Sequence, residues 1–546
     1  MSNKKMFLGN VITMDDNNPN AEAVVINDNI IEYVGDKQHA KELCDDKTEI
    51  IDYGNKYIYP GFLESHTHGI FAGYRSIGQA NLSSIIPVDY DKYREVIKKF
   101  ISDNPEKEIY LAAGWAEDGT PITHTYLDEI CSDKPLILNT AGGHACLLNK
   151  AAMKWRGVDK EFVNKYGSSL VRVDENGEPT GYLCEEPAIK LLADMPMTLD
   201  DAKNYILDWQ QYILSKGFTG VTDAGADLFF KQANQAYSEL EKENKLKLRT
   251  ISYMLCKENP DSPKTEVERI ANEQKQFSSE HYEIIGVKAF LDGVIESHTG
   301  WLSSDYLDEP GYHGNERFND KQKMIELIVE ASKHNMPVHV HSEADGAVHF
   351  MLDCIEEAQK ITNDLDQRNV LAHLHFVLPE DIKRMASTKS IAVVAPTWTP
   401  KFPGVYENEI KFVGEDKAFN GYPIRSFVDA GATIAFHSDY PVSVPVDIPR
   451  NIYTAVYRSI PEQEYGGLVT QRNENETIDR KKCLEAMTIN IAYQWKKEDK
   501  LGSLEKGKLA DMTVFDCNFL KDDLLKISHD SPYATIVNGE VVYTRN

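Results

Sequence analysis

The chain has 546 residues, 42% of them hydrophobic and 27% charged. That length exceeds one ordinary compact core and predicts a large domain with one or two smaller ones. A formal net charge of -27 opposes contact with a phosphate backbone and makes nucleic acid an unfavourable partner. The start, Met1 to Leu8, lacks the apolar stretch of a signal peptide, and no segment reaches the roughly 18 apolar residues of a membrane span. The cysteines are scattered with no CxxC pair, the pattern of reduced thiols in a cytoplasmic protein.

In chain order, the first elements read as small antiparallel strands. Residues 10–14 form one, and 23–34 form a hairpin turning at Asn27-Asp28-Asn29. Eight short apolar runs follow, at 57–66, 220–223, 248–254, 284–290, 337–341, 370–373, 391–395 and 432–436. Segments of helical periodicity, such as 321–335 and 342–360, fall between most of them. Eight such alternations predict an α/β fold, a (β/α)8 TIM barrel with parallel strands. The gap between the first and second runs is far too long for one helix, so 73–199 reads as an inserted α+β subdomain. The far end returns to the opening style, with a strand at 510–516 and a hairpin at 535–543 turning at Asn538-Gly539. The expected organisation is a small β-sandwich from both termini (1–56 plus 496–546), a barrel (57–72 plus 200–495) and the insert.

Several barrel strands end in a metal-capable side chain. His66 and His68 are two apart on the first strand, so both imidazoles point the same way. The fourth strand carries Lys288. The fifth ends in His339-Val340-His341, the sixth in His373-Leu374-His375 and the eighth in His437-Ser438-Asp439. Each signal alone has a bland reading: an HxH pair in an apolar strand is often structural, and Lys288 could be a paired or snorkelling lysine. Active sites of such barrels lie at the C-terminal strand ends, where these groups would converge. Imidazole nitrogen and carboxylate oxygen are ordinary ligands for zinc and similar divalent ions.

These residues sit in motifs that resemble the amidohydrolase superfamily, in its YtcJ-like (amidohydrolase-3) branch, which includes N-substituted formamide deformylase. Pro60-Gly61-Phe62-Leu63-Glu64-Ser65-His66-Thr67-His68 resembles that family's PGFIDxHxH opening, and Gly220-Val221-Thr222 its GVT stretch. Val287-Lys288-Ala289-Phe290-Leu291-Asp292-Gly293 resembles VKxxxDG, and Ser438-Asp439-Tyr440-Pro441-Val442 resembles SDxPV. The run from Gly502 to Asp511 resembles GSLExGKxAD. The resemblance implies that His66 and His68 bind one metal, and that His341 and His373 bind a second. Lys288 would bridge the two as a carbamate, and Asp439 would bind metal and shuttle the proton. His373 is preferred to His375 because the family's EHxxxxxP pattern puts a proline six residues on, at Pro379. Ala372, His375, Thr397-Trp398 and His437 depart from the usual residues.

In the insert, stretches around Trp115, His144 and Tyr182 resemble the same branch. His144, Trp115 and Asp292 are the candidate substrate contacts. Asp292 and Glu343 are also candidates to fix imidazole tautomers from behind; the plainer readings are a hydrogen-bonded structural histidine, a packed aromatic, and solvent-facing or helix-capping carboxylates. The implied function is a metal-dependent hydrolase cleaving a non-peptide, amide-like C–N bond of a small molecule through a metal-activated hydroxide. A deaminase or cyclic-amide hydrolase of the same superfamily, and a non-catalytic binding protein on the same fold, are the alternatives. The implied cofactor is one or two divalent ions, Zn2+ before Mn2+ or Fe2+. The expected protein is cytoplasmic, free of membrane and nucleic acid, with a homodimer as the assembly considered.

Overall fold

Runs of fully buried apolar residues such as Val370–His373 and Ile391–Val394 form the strands of an eight-stranded parallel sheet. Both faces of these strands are covered, so their sequences read as near-continuous Val, Ile, Leu and Ala instead of alternating. The structure is a computed structural model. It describes residues 4–545 apart from 86, 117, 118, 141–144, 194, 195, 229, 444, 462, 463 and 465–469, with backbone alone at 189, 192 and 193. The eight strands are Phe62–Thr67, Phe218–Ala224, Arg249–Leu255, Tyr282–Phe290, Val338–Ser342, Val370–His373, Ile391–Val394 and Thr433–Phe436. Each pairs in parallel with its neighbour in sequence. The eighth strand returns to the first. Ser65 Oγ donates to the Phe436 carbonyl at 2.7 Å, the Asp439 N–H to His66 at 3.1 Å, and the His68 N–H to Tyr440 at 2.9 Å. With helices such as Lys321–Lys333 and Asp345–Thr362 between strands, this is the expected (β/α)8 barrel.

One strand differs from expectation. The run at 57–66 is two elements: Glu49–Pro60 belongs to another sheet, and the barrel strand begins at Phe62. The break falls at Gly61, whose N–H turns to the Asp511 carbonyl at 2.8 Å. Below the strand ends the barrel is filled by Leu63, Tyr253, Val370, Val393 and Trp495. The Trp495 indole donates to Thr222 Oγ1 at 2.8 Å, and its ring lies 2.9 Å from where a Cβ on Gly220 would be. The glycine of the GVT stretch is therefore the space that Trp495 occupies.

Both chain ends enter one seven-stranded sheet. Glu49–Pro60 lies between Lys4–Ile12, to which it is parallel, and Met512–Phe515, to which it is antiparallel. Alternation along these strands separates two cores: Phe7, Val24, Ile26 and Met512 on one face, Met6, Leu8, Ala23 and Val25 on the other. The terminal sheet and the barrel together form one compact unit, residues 1–69 with 209–546.

The second compact unit spans 70–208, where an insert at 73–199 was expected. Its six-stranded sheet runs in the order Val171–Val173, Pro179–Cys184, Ala145–Leu148, Leu136–Thr140, Tyr110–Trp115, Ala80–Asn81. The last three strands are parallel and the others antiparallel. Tyr93, Ile97, Leu127 and Leu138 fill one face, and Ile137, Cys146, Leu148 and Ala152 the other.

Candidate metal centre

The first barrel strand carries His66 outward to the C-terminal rim and His68 just beyond it, and both are buried. The exit of the eighth strand brings Asp439 to them. Asp439 Oδ1 lies 3.2 Å from His66 Nε2 and 3.3 Å from His68 Nε2. The three ligand-type atoms fall within 4.8 Å of one another. His373 and Asp439 have φ of 84° and 57°. Left-handed backbone at a residue with a side chain costs about 1–3 kcal/mol and concentrates at functional sites.

The sixth and fifth strands supply the next two imidazoles. The His373 ring lies 4.9 Å from that of His66 and 4.4 Å from that of His341. His341 Nδ1 is 2.9 Å from Asp292 Oδ1, which leaves its Nε2 as the free ligand atom. Lys288 is fully buried, and its Nζ makes no hydrogen bond. Burial, helped by the Arg317 guanidinium and opposed by Asp439, pulls the Lys288 ammonium down to about 7.

This donor set fits a divalent cation. His66 Nε2, His373 Nδ1 and Lys288 Nζ are buried atoms without a hydrogen-bond partner, and each such orphan costs about 1–3 kcal/mol unless something else satisfies it. Burial, reinforced by neighbouring positive groups, holds His66, His339 and His373 well below the usual imidazole range, so they stand in the neutral form that binds metal. Burial acts to raise the Asp439 carboxyl, but the hydrogen bond from the His68 imidazole beside it and the neighbouring His373 and His437 imidazoles outweigh that and hold it well below the usual carboxylate range.

Three buried groups in the same layer were not assigned from sequence. His339 Nε2 lies 2.8 Å from His66 Nδ1. The His437 ring lies 5.4 Å from His66 and 5.0 Å from His373, and burial pulls it down to about 4. Glu64 Oε1 accepts the N–H groups of His66 at 3.2 Å and Ser438 at 3.1 Å, tying the first strand to the eighth, and burial pushes its carboxyl up to about 8. All three stand two residues before an expected ligand (His341, Asp439 and His66), and that spacing places them on the same strand face.

Asp292, expected against substrate, is fully buried behind His341. Its carboxylate also accepts the N–H groups of Glu343 at 3.1 Å and Ala344 at 2.9 Å, so it is turned into the protein by those bonds. Trp115, expected as a substrate contact, is packed in the core of the 70–208 unit, edge-on to Tyr182, with its indole donating to the Tyr90 hydroxyl at 3.3 Å. His144 lies outside the described residues. His375, set aside as a ligand, is held between Glu343 at 3.5 Å and Glu409 at 3.4 Å. Burial acts to lower its imidazole, but the two carboxylates raise it to about 9.

Comparison with known proteins follows the same lines. The model of the amidohydrolase family matches residues 49–543. Protein LONG AFTER FAR-RED 3 of Arabidopsis thaliana is 27% identical over 98% of this chain and 90% of its own length. N-substituted formamide deformylase of Arthrobacter pascens is 26% identical over 98% of this chain and 97% of its own. A crystal structure of an uncharacterized metal-dependent hydrolase from Pyrococcus furiosus superposes with a TM-score of 0.75 at 25% identity, covering 95% of this chain and 100% of that one. Among the described residues no helix is long and apolar enough to cross a membrane.

Proposed function

The chain belongs to the amidohydrolase family, and from that premise we propose that it hydrolyses an amide-like C–N bond of a small molecule at a centre of one or two divalent ions. The observation that carries this reading is the convergence of the buried His66 Nε2, His68 Nε2 and Asp439 Oδ1 at the rim. His66, His68 and Asp439 would hold one ion. His341 and His373 would hold the other, with Lys288 between them. Zn2+ is the first choice and Mn2+ or Fe2+ the alternatives, since imidazole and carboxylate suit all three. Bound there, a divalent ion supplies Lewis acidity and lowers the pKa of water towards neutrality.

The protein's own groups do the rest. A buried Lys288 amine near neutrality is the form that adds carbon dioxide: its nitrogen bonds to the carbon, a proton leaves, and an anionic carbamate results. That turns an amine without a hydrogen-bond partner into an oxygen ligand. Asp439, held ionised, takes the proton from the attacking water and passes it to the leaving nitrogen, which cannot depart as an amide anion. Trp398 lies nearly parallel to the His373 ring at 5.5 Å and is anchored by its indole N–H to Ser443 Oγ at 2.5 Å, which gives the rim one aromatic wall.

The test is a hydrolysis screen of the full chain with Zn2+ or Mn2+ across N-formyl amines, acyl amides and heterocycles, with product identification. The deformylase relative makes N-substituted formamides the first compounds to try. Carboxylate plus amine is the expected product pair. Ammonia from a heterocycle would move the protein to the deaminases, and absence of both bound metal and turnover would sink the reading.

A further inference from the structure

We propose that His339 is a positioning residue: by accepting the Nδ1 proton of His66 it fixes that imidazole's tautomer and orientation, so that the Nε2 lone pair faces Asp439. This rests on the metal reading above. His339 lies on the fifth barrel strand, two residues before His341, is fully buried, and stands opposite Lys288 in register. Its Nε2 is 2.8 Å from His66 Nδ1, the separation of a hydrogen bond in which one nitrogen donates and the other accepts. The two rings meet at 62° with centroids 4.8 Å apart.

Only one of the two proton arrangements serves a cation. If His339 donated, the His66 proton would sit on Nε2, aimed at Asp439 Oδ1 3.2 Å away, and would block the ligand position. If His66 donates, its Nε2 is a free lone pair and the His339 proton sits on Nδ1. Tyr253 packs edge-on against His339 at 4.7 Å, on a ring whose Nε2 faces His66; the two arrangements differ only in where the protons sit. His339 Nδ1 has no hydrogen-bond partner, so an apolar side chain here would exchange that orphaned nitrogen for another at His66 Nδ1. The imidazole is placed there for its Nε2 contact. A neutral acceptor also orients His66 without adding negative charge beneath the ions, which a carboxylate in this position would do.

Two substitutions separate positioning from packing. His339→Leu removes the acceptor and keeps an apolar filling, whereas His339→Gln can place an amide oxygen near the Nε2 position. The readouts are the Zn2+ dissociation constant by chelator competition, the visible spectrum of the Co2+ form, and the melting temperature of the metal-free chain. His339→Leu should bind Zn2+ about 10–100-fold more weakly, with altered Co2+ bands and a metal-free melting temperature close to that of the unaltered chain. His339→Gln should bind Zn2+ within a few-fold of the unaltered chain. Equal Zn2+ affinity and identical Co2+ spectra in both variants would overturn the proposal. If His339→Leu does not fold, His339→Asn, whose oxygen falls at the Nδ1 position, takes its place: weak binding in Asn beside near-normal binding in Gln supports positioning, and equal binding refutes it. An unaltered chain that binds no divalent ion would overturn this proposal and the metal reading together, whereas binding that is insensitive to His339 overturns this one alone.

Discussion

The Nδ1 of His341 lies 2.9 Å from the carboxylate of Asp292, so the histidine at the end of the fifth strand is held by an acid at the end of the fourth. The same carboxylate accepts the N–H groups of Glu343 and Ala344, the first backbone groups of the turn after His341. One acid thus aims the imidazole and stiffens the segment that carries it. Asp292→Ala should leave two buried N–H groups unsatisfied at about 1–3 kcal/mol each, and should weaken metal binding about 10–100-fold. Asp292→Asn keeps one acceptor and should melt closer to the unaltered chain while still losing metal affinity. Thermal melts and metal analysis after dialysis check both. Full metal retention in the Ala variant would mean that His341 needs no such partner.

Lys288 and Asp439 carry opposite expectations for rescue. Lys288→Ala should lose activity and regain part of it when a short carboxylic acid such as propionate is added, because that acid can take the place of a carbamate. Asp439→Asn should fold normally, show no rescue, and turn over about 10²–10⁴-fold more slowly, the usual worth of a positioned proton-transfer group. Steady-state rates with and without added acid check both. A Lys288→Ala variant of full activity would remove the lysine from the centre.

How far the sequence reveals this molecule depends on the element. The parallel strands were legible because burial on both faces leaves long Val, Ile and Ala runs, as in Ile391–Val394. The break at Gly61 was missed: one apolar run passes without a polar interruption from the terminal sheet into the barrel, and its one sequence mark, the Pro60-Gly61 dipeptide, reads as part of a single strand that the structure breaks by turning the Gly61 N–H to Asp511. His66, His68 and Asp439 were legible from spacing and strand position. The same spacing rule applies to Glu64, His339 and His437, which were passed over because two-residue periodicity assigns a face and not a partner. Asp292 reads equally as a substrate contact, a capping acid or a partner of an imidazole. Its direction is decided by Glu343 and Ala344, which are far along the chain. Trp115 shows the limit for aromatics, because a core and a pocket wall demand the same side chain.

Asp227, in the turn after the second barrel strand, should make stability fall as the pH rises through mild acid. Burial raises its carboxyl to about 6, although it accepts the Leu255 N–H at 2.9 Å and faces Arg269. The folded chain therefore binds a proton that the unfolded chain has released between the ordinary carboxylate value and about 6. The resulting penalty is absent below that window and fully present above it. Asp227→Asn should accordingly stabilise the chain at pH 7, by up to about 3 kcal/mol and seen as a higher melting temperature, and should make little difference near pH 4. Melting curves of both chains across this range check the sign. A variant less stable at pH 7 than at pH 4, relative to the unaltered chain, would mean that the attraction to Arg269 outweighs burial.

Arg249 and Asp511 pin the terminal sheet to the third barrel strand. The guanidinium donates from Nε at 2.6 Å and from a terminal nitrogen at 3.1 Å, and the two residues are 5% and 4% exposed. Asp511 also accepts the Asn538 N–H at 2.8 Å, so the last residue of the GSLExGKxAD-like stretch is a structural acid that holds both the C-terminal hairpin and the barrel. Breaking a buried pair from one side leaves an uncompensated charge, a loss of about 3–5 kcal/mol, whereas replacing both partners by apolar groups of similar volume is far milder. Arg249→Met alone should therefore melt well below the unaltered chain. Arg249→Met with Asp511→Leu should lose less than the sum of the two single changes, the residual loss coming from Asn538, whose N–H loses Asp511 and whose side-chain oxygen loses Arg249. Since the pair lies at the start of the strand, away from the metal-binding rim, metal affinity should be unchanged wherever the variants are folded. Additive losses in the double variant would show that water reaches the pair and screens its charges.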